Sequence, residues 1–116
     1  MAKHERQLAA HAAHLVNYLD SGIQNSGLSV ELVDISVQRL GDTRVWLYVY
    51  DKYYMRNSSR TSLTLQVIGR DGEAFVSVIG AGGGNGNLLN FDYGSSDNFV
   101  SVVERLLDEY QTDEKE

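Results

Sequence analysis

The stretch Arg44-Val45-Trp46-Leu47-Tyr48-Val49-Tyr50, running on to Tyr53, Tyr54 and Met55, alternates two kinds of apolar residue. Successive side chains of a strand point to opposite faces, so Val45, Leu47 and Val49 line one face while Trp46, Tyr48 and Tyr50 line the other. Such a strand needs cover on both sides, and of different kinds. An aliphatic face suits a helix-packed core. A Trp/Tyr face suits a wetter contact, because the indole N–H and the phenol O–H need polar partners.

The chain is 116 residues long, enough for one domain with a real core, read here as residues 1–111 with 112–116 as a disordered acidic tail. It has no cysteine, so disulfides and Cys-ligated metal sites are excluded. Met1 to Gln7 lacks the apolar stretch of a signal peptide, and no run approaches the roughly 20 apolar residues of a membrane span. The expectation is a cytoplasmic protein with no membrane partner. A net charge of -6 argues against broad nucleic-acid binding, which requires phosphate neutralisation. The charge is uneven, however: residues 38–72 hold Arg39, Arg44, Lys52, Arg56, Arg60 and Arg70 against Asp42, Asp51 and Asp71.

Leu15, Tyr18, Leu19 and Ile23 recur at helical spacing and predict a first helix from about His11, with Gly22 as its stop. Residues 2–8 either extend that helix or form a short strand, since no capping residue precedes His11. Leu28 to Leu40 reads as a strand, and Gly41-Asp42 as the turn into the aromatic strand. A two-residue loop there sets Val33, Ile35 and Val37 beside Trp46, Tyr48 and Tyr50. A three-residue loop sets them beside Val45, Leu47 and Val49 and unifies the aliphatic face, so the longer loop is expected.

Leu63, Leu65 and Val67 alternate with polar residues from Thr61 to Ile68. Asp71-Gly72 then predicts a type I′ hairpin with Arg70 opposite Glu73 and with Leu65 and Val67 next to Val78 and Val76. A further strand is expected over Leu88 to Tyr93. The last helix starts at Ser95 or Ser96, with Phe99, Val103, Leu106 and Tyr110 as its stripe and Val102 and Leu107 widening it. The fold class is therefore α+β: a two-layer domain with a four- to five-stranded antiparallel meander and both helices on one face. The aliphatic face is expected beneath the helices.

The chemistry-bearing patterns are sparse. Gly82, Gly83, Gly84 and Gly86 lie in a glycine-rich run that fails both phosphate-loop spacings, and a strand is expected after it, so a connection or a ligand-covering loop are its readings. His4, His11 and His14 share a face only if the N-terminus is helical throughout, and surface histidines are the simpler reading; no metal or cofactor is expected. No serine lies in a nucleophile elbow. Asp34 and Asp51 interrupt apolar strands, but strand-end solvation explains Asp51 equally well, so no catalytic residue is assigned.

The aromatic face is the main functional lead. Trp46, Tyr48, Tyr50 and Tyr54, with Lys52 on the same side, need a cover: a second copy, a ligand, or part of the same chain. Self-association is the simplest, because a large exposed apolar patch is rare on a monomer and Tyr and Trp are enriched in interfaces. The alternative is a small-molecule or nucleotide-binding protein, conceivably an enzyme, with a pocket between that face and residues 80–87.

Asn17-Tyr18-Leu19 with Gly22-Ile23, Arg39-Leu40-Gly41-Asp42, Val49-Tyr50-Asp51-Lys52-Tyr53, Ser62-Leu63-Thr64-Leu65 with Ile68-Gly69, and Phe75-Val76-Ser77 before the glycines occur in a familiar order. In that order they resemble a family of small uncharacterised bacterial proteins, found mainly in Firmicutes, from about Ala2 to Tyr110. The resemblance implies a domain of unknown function and carries no catalytic or binding residue. The chain departs from the family pattern near His11, where a Gly-Asp helix start is expected.

Overall fold

A computed structural model describes residues 2–27, 29–55, 58–82 and 93–115. Five strands and two helices follow one another as β1 (Ala2–Ala9), α1 (Ala12–Gln24), β2 (Val30–Leu40), β3 (Thr43–Tyr54), β4 (Ser59–Arg70), β5 (Glu73–Gly82) and α2 (Tyr93–Lys115). The sheet order is β1-β5-β4-β3-β2, antiparallel throughout. β2 to β5 are a meander, and β1 adds to its far edge. Both helices pack on one face, with α2 against β1, β5 and β4 and α1 against β4 and β2.

Residues 2–9 form a strand, although Leu8 is the only large apolar residue among them. Two long-range interactions compensate. Lys3 to Ala9 pair with Ile79 to Glu73 of β5, and the inward polar side chains reach α2. Arg6 donates to the Gln111 side-chain oxygen at 2.7 Å and pairs with Asp108 at 2.8 Å, while His4 lies 3.8 Å from Glu104. The strand expected over residues 88–93 falls mostly outside the described residues, and Tyr93 opens α2.

The Asp71-Gly72 hairpin forms as expected: both residues have positive φ (54° and 79°), Arg70 pairs with Glu73, and Leu65 and Val67 pair with Val78 and Val76. α1 does not stop at Gly22. It runs to Gln24 because Gly22 is a point of close helix contact, where an added Cβ would stand 2.6 Å from a Leu106 methyl. The stripe of α2 is fully buried at Phe99, Val103 and Leu107, with Val100 nearly so, whereas Val102, Leu106 and Tyr110 are half-buried.

The expected three-residue loop is corrected to a two-residue turn. Leu40 pairs with Thr43 around Gly41 and Asp42, which sets Val37 beside Trp46 and Ile35 beside Tyr48. A bulge between Leu32 and Asp34 then shifts the register and removes Val33 from the aromatic row. β4 works to the same end, because Val67, Leu65 and Leu63 lie opposite Trp46, Tyr48 and Tyr50.

The face packed by the helices is therefore the aromatic one, the reverse of the expected arrangement. Trp46, Tyr50, Leu63, Leu65, Val67, Ala74, Val76 and Val78 make one buried cluster with Leu15, Leu19, Ile23, Phe99, Val103 and Leu107 of the helices. The physical reason lies in the neighbouring strands. Across the sheet, the rows sharing a face with Trp46 and Tyr50 hold the apolar residues of β4 and β5, whereas the rows of Leu47 and Val49 hold Gln66, Ser77 and Thr64. Burying the first face removes more apolar surface from water.

Candidate functional site

The four aromatic residues expected at an interface occupy graded positions on the inner face. Tyr50 is 0% and Trp46 8% exposed, while Tyr48 and Tyr54 are half-buried. Burying a phenol requires a hydrogen-bond partner, and α1 supplies it: Tyr50 Oη donates to Asp20 Oδ1 at 2.6 Å. Burial, then the Asp20 hydrogen bond and its negative charge, push the Tyr50 hydroxyl well above the ordinary tyrosine range. Tyr48, whose ring centre lies 6.4 Å from that of Tyr50, is pushed the same way by burial and by Asp20. At one end of the row the Arg44 guanidinium lies 4.8 Å over the Trp46 ring. The wet contact that the aromatic residues require is thus largely provided from within the chain.

The other end of the row is polar. Lys52 pairs across the sheet with Thr61, and Tyr54 with Ser59, all on the inner face. The Lys52 ammonium lies 5.1 Å from the Tyr54 ring centre and 5.5 Å from that of Phe99. It packs against Gly27, where an added Cβ would sit 3.1 Å from Nζ. Burial lowers its proton affinity below that of an ordinary lysine and raises the pKa of Tyr54. Thr61 is 0% exposed, and its hydroxyl has no hydrogen-bond partner among the described residues.

The helix-free face of the sheet carries three ordered rows. From β1 to β2 they read Gln7-Phe75-Ile68-Val45-Gln38, then Glu5-Ser77-Gln66-Leu47-Ser36, then Lys3-Ile79-Thr64-Val49-Asp34. Six aliphatic or aromatic side chains stand in the three central strands, and the two edge strands are entirely polar here. Phe75 and Ile79 are 38% and 39% exposed. This is the face that the sequence assigned to the core.

The remaining sequence candidates do not converge. His4 is on β1, His11 precedes α1 and His14 lies within it, with the last two rings stacked at 4.4 Å. Among the described residues no group of three or more His, Asp or Glu could hold a metal ion. The Asp34 carboxylate accepts from the Ile35 backbone N–H at 2.8 Å, and Asp51 pairs with Arg60 at 3.5 Å. Each is engaged locally rather than with the other. Gly82 ends β5 with φ 89°, opposite Thr61, whereas Gly83, Gly84 and Gly86 lie outside the described residues.

A family model described as a family of unknown function (DUF6054) matches residues 1–111. The chain belongs to that family. No curated protein and no solved structure matches it. The DUF6054 match spans β1 to nearly the end of α2, so the whole sheet and both helices are the family unit. No helix among the described residues is long and apolar enough to cross a membrane.

Two residues of this DUF6054 domain escaped the sequence reading. Asp20 follows the stripe residue Leu19, and an acid beside an apolar stripe was the available signal for a partner to a buried tyrosine. Thr61 gave no signal, because its burial depends on its pairing with both Lys52 and Gly82.

Proposed function

We propose that this DUF6054 domain is a non-enzymatic self-association module that dimerises through the helix-free face of its sheet. The observation that carries this reading is the composition of that face: Phe75, Ile68, Val45, Leu47, Val49 and Ile79 make up six of the nine positions in the three central strands, with Gln66, Thr64 and Ser77 among them, and the edge strands are polar. An apolar centre with a polar rim is the anatomy of an interface. Of the aromatic residues first considered for this role, Trp46 and Tyr50 are buried in the cluster shared with the helices and Tyr48 packs against it.

Symmetry favours a second copy as the occupant. Two sheets stack face to face with their strands within about 30° of one another. A two-fold axis parallel to the strands keeps each row over itself while exchanging β1 with β2 and β5 with β3. Val45 then stands over Phe75 of the second copy, Leu47 over its Ser77 and Val49 over its Ile79, so the apolar columns meet. Lys3 meets the second copy's Asp34 at both rims. With strands about 4.8 Å apart and about 3.4 Å per residue, five strands by seven residues cover roughly 570 Å² in plan. Two copies bury about 1,100 Å², above the ~1,000 Å² expected of a biological interface.

Light scattering is expected to give twice the chain mass for the wild type and the single-chain mass for Leu47→Lys. Tyr48→Ser, on the opposite face, is expected to leave the dimer intact. A monomeric wild type, or a dimer unaffected by Leu47→Lys, refutes the proposal.

A further inference from the structure

We propose that Lys52 and Thr61 form the head of a binding site for a small-molecule oxyanion, a phosphate or a carboxylate, at the polar end of the inner face. The site lies across the sheet from the proposed dimer face and does not depend on it.

Three observations support this. Lys52 is half-buried and turned inward, its ammonium held between the Tyr54 and Phe99 rings and against Gly27, yet among the described residues it has no acidic partner. An ammonium carries three donors and no acceptor, and one removed from bulk water favours an anion. Thr61, its direct cross-strand neighbour, has a fully buried hydroxyl without a partner among the described residues. Buried hydroxyls are nearly always hydrogen-bonded, so an orphan in the same cross-strand pair as a cation without a described acidic partner marks a place for an acceptor. Side chains directly opposite one another on a face have Cβ atoms about 5 Å apart, which lets one oxyanion accept from both.

The third observation is the surroundings. Phe99 and the Tyr54 ring supply apolar walls, and the acids placed against the inner face among the described residues are engaged elsewhere: Asp20 is bonded to Tyr50 and to Gln24, Asp108 pairs with Arg6, and Glu104 faces His4. Opposite Thr61 stands Gly82 at φ 89°, where a Cβ would come within 3.0 Å of the Arg60 carbonyl oxygen. Backbone therefore approaches Thr61 closely from β5. Burial lowers the proton affinity of Lys52, and a bound anion would raise it again.

The test is titration calorimetry with inorganic phosphate and, separately, acetate, at ionic strength matched with sodium chloride. Saturable binding of at least one anion to the wild-type chain is expected, and the preferred anion names the ligand's acidic group. Lys52→Met should abolish it. Thr61→Val, which keeps the side-chain shape, should weaken it about tenfold through one lost hydrogen bond to an anion. Binding should also fall as pH rises through the lysine titration. Thr61→Val preserves the test if Lys52→Met does not fold. Absence of saturable binding with both anions, or a Thr61→Val chain that binds as well as the wild type, overturns the proposal.

Discussion

Replacing Tyr50 with phenylalanine isolates the contact that lets an aromatic face serve as a core. The ring is fully buried and its hydroxyl donates to Asp20 at 2.6 Å. Tyr50→Phe keeps the ring, so no large cavity opens and the loss is the hydrogen bond itself. Bonds to charged groups contribute about 1.5–3 kcal/mol. The lower end applies here, since Asp20 is only half-buried and keeps the Gln24 amide at 3.0 and 3.1 Å, so its carboxylate is not stranded. The expected loss is ~1.5 kcal/mol at pH 7, or roughly 6 °C at about 4 °C per kcal/mol for a chain of this size.

The pH dependence supplies an independent check. A tyrosine whose proton is held more tightly in the folded state gives stability no pH dependence below about pH 10, where both states are protonated and its hydrogen bond contributes in full. Above that the unfolded chain releases the proton and the folded chain retains it, so stability falls by up to about 1.4 kcal/mol per pH unit. Tyr48 and Tyr54 are raised as well, and Tyr50→Phe removes only the Tyr50 share. Urea melts from pH 7 to 11 should therefore show the gap between wild type and Tyr50→Phe narrowing above pH 10. A gap of constant size across that range, or no loss at pH 7, refutes the role assigned to Asp20 and Tyr50.

Two further perturbations probe the frame that holds these sites. Gly69 lies beneath the start of α1, where an added methyl would overlap Ala12 Cβ; Gly69→Ala should cost about 2–3 kcal/mol by overpacking, and adding Ala12→Gly should recover part of it in thermal melts. Gly72→Ala places a side chain at φ 79° in the β4–β5 turn and should cost about 1 kcal/mol, read as a lower denaturation midpoint with an unchanged urea slope.

Much of the fold is legible in local sequence. The 3.6-residue stripe through Phe99 and Val103 requires a helix wherever it packs, and Asp71-Gly72 dictates a hairpin because those two residues accept the positive φ that a type I′ turn demands. The alternation in β3 likewise requires a strand with two unlike faces. The site is less legible. Lys52 is visible as a cation on the aromatic side, but that it has no acid partner among the described residues emerges only from the tertiary arrangement, and the same holds for the Thr61 hydroxyl, which has no partner among them.

Taken alone, the sequence determined that helices run through the stripes of Leu15 with Leu19 and of Phe99 with Val103, which hairpin closes β4 on β5, and that β3 divides Val45, Leu47 and Val49 from Trp46, Tyr48 and Tyr50. Only the tertiary structure decided which of those faces is the core. That choice turns on a single residue in the Gly41-Asp42 turn, because a shift of one moves every side chain of a strand to the other side. It turns equally on the pairing of β4, which adds Leu63, Leu65 and Val67 to the aromatic row. The polar strand β1 depends in the same way on β5 and α2. Face allocation is a sum of apolar area over five strands, and no one strand carries enough of that sum to reveal its sign.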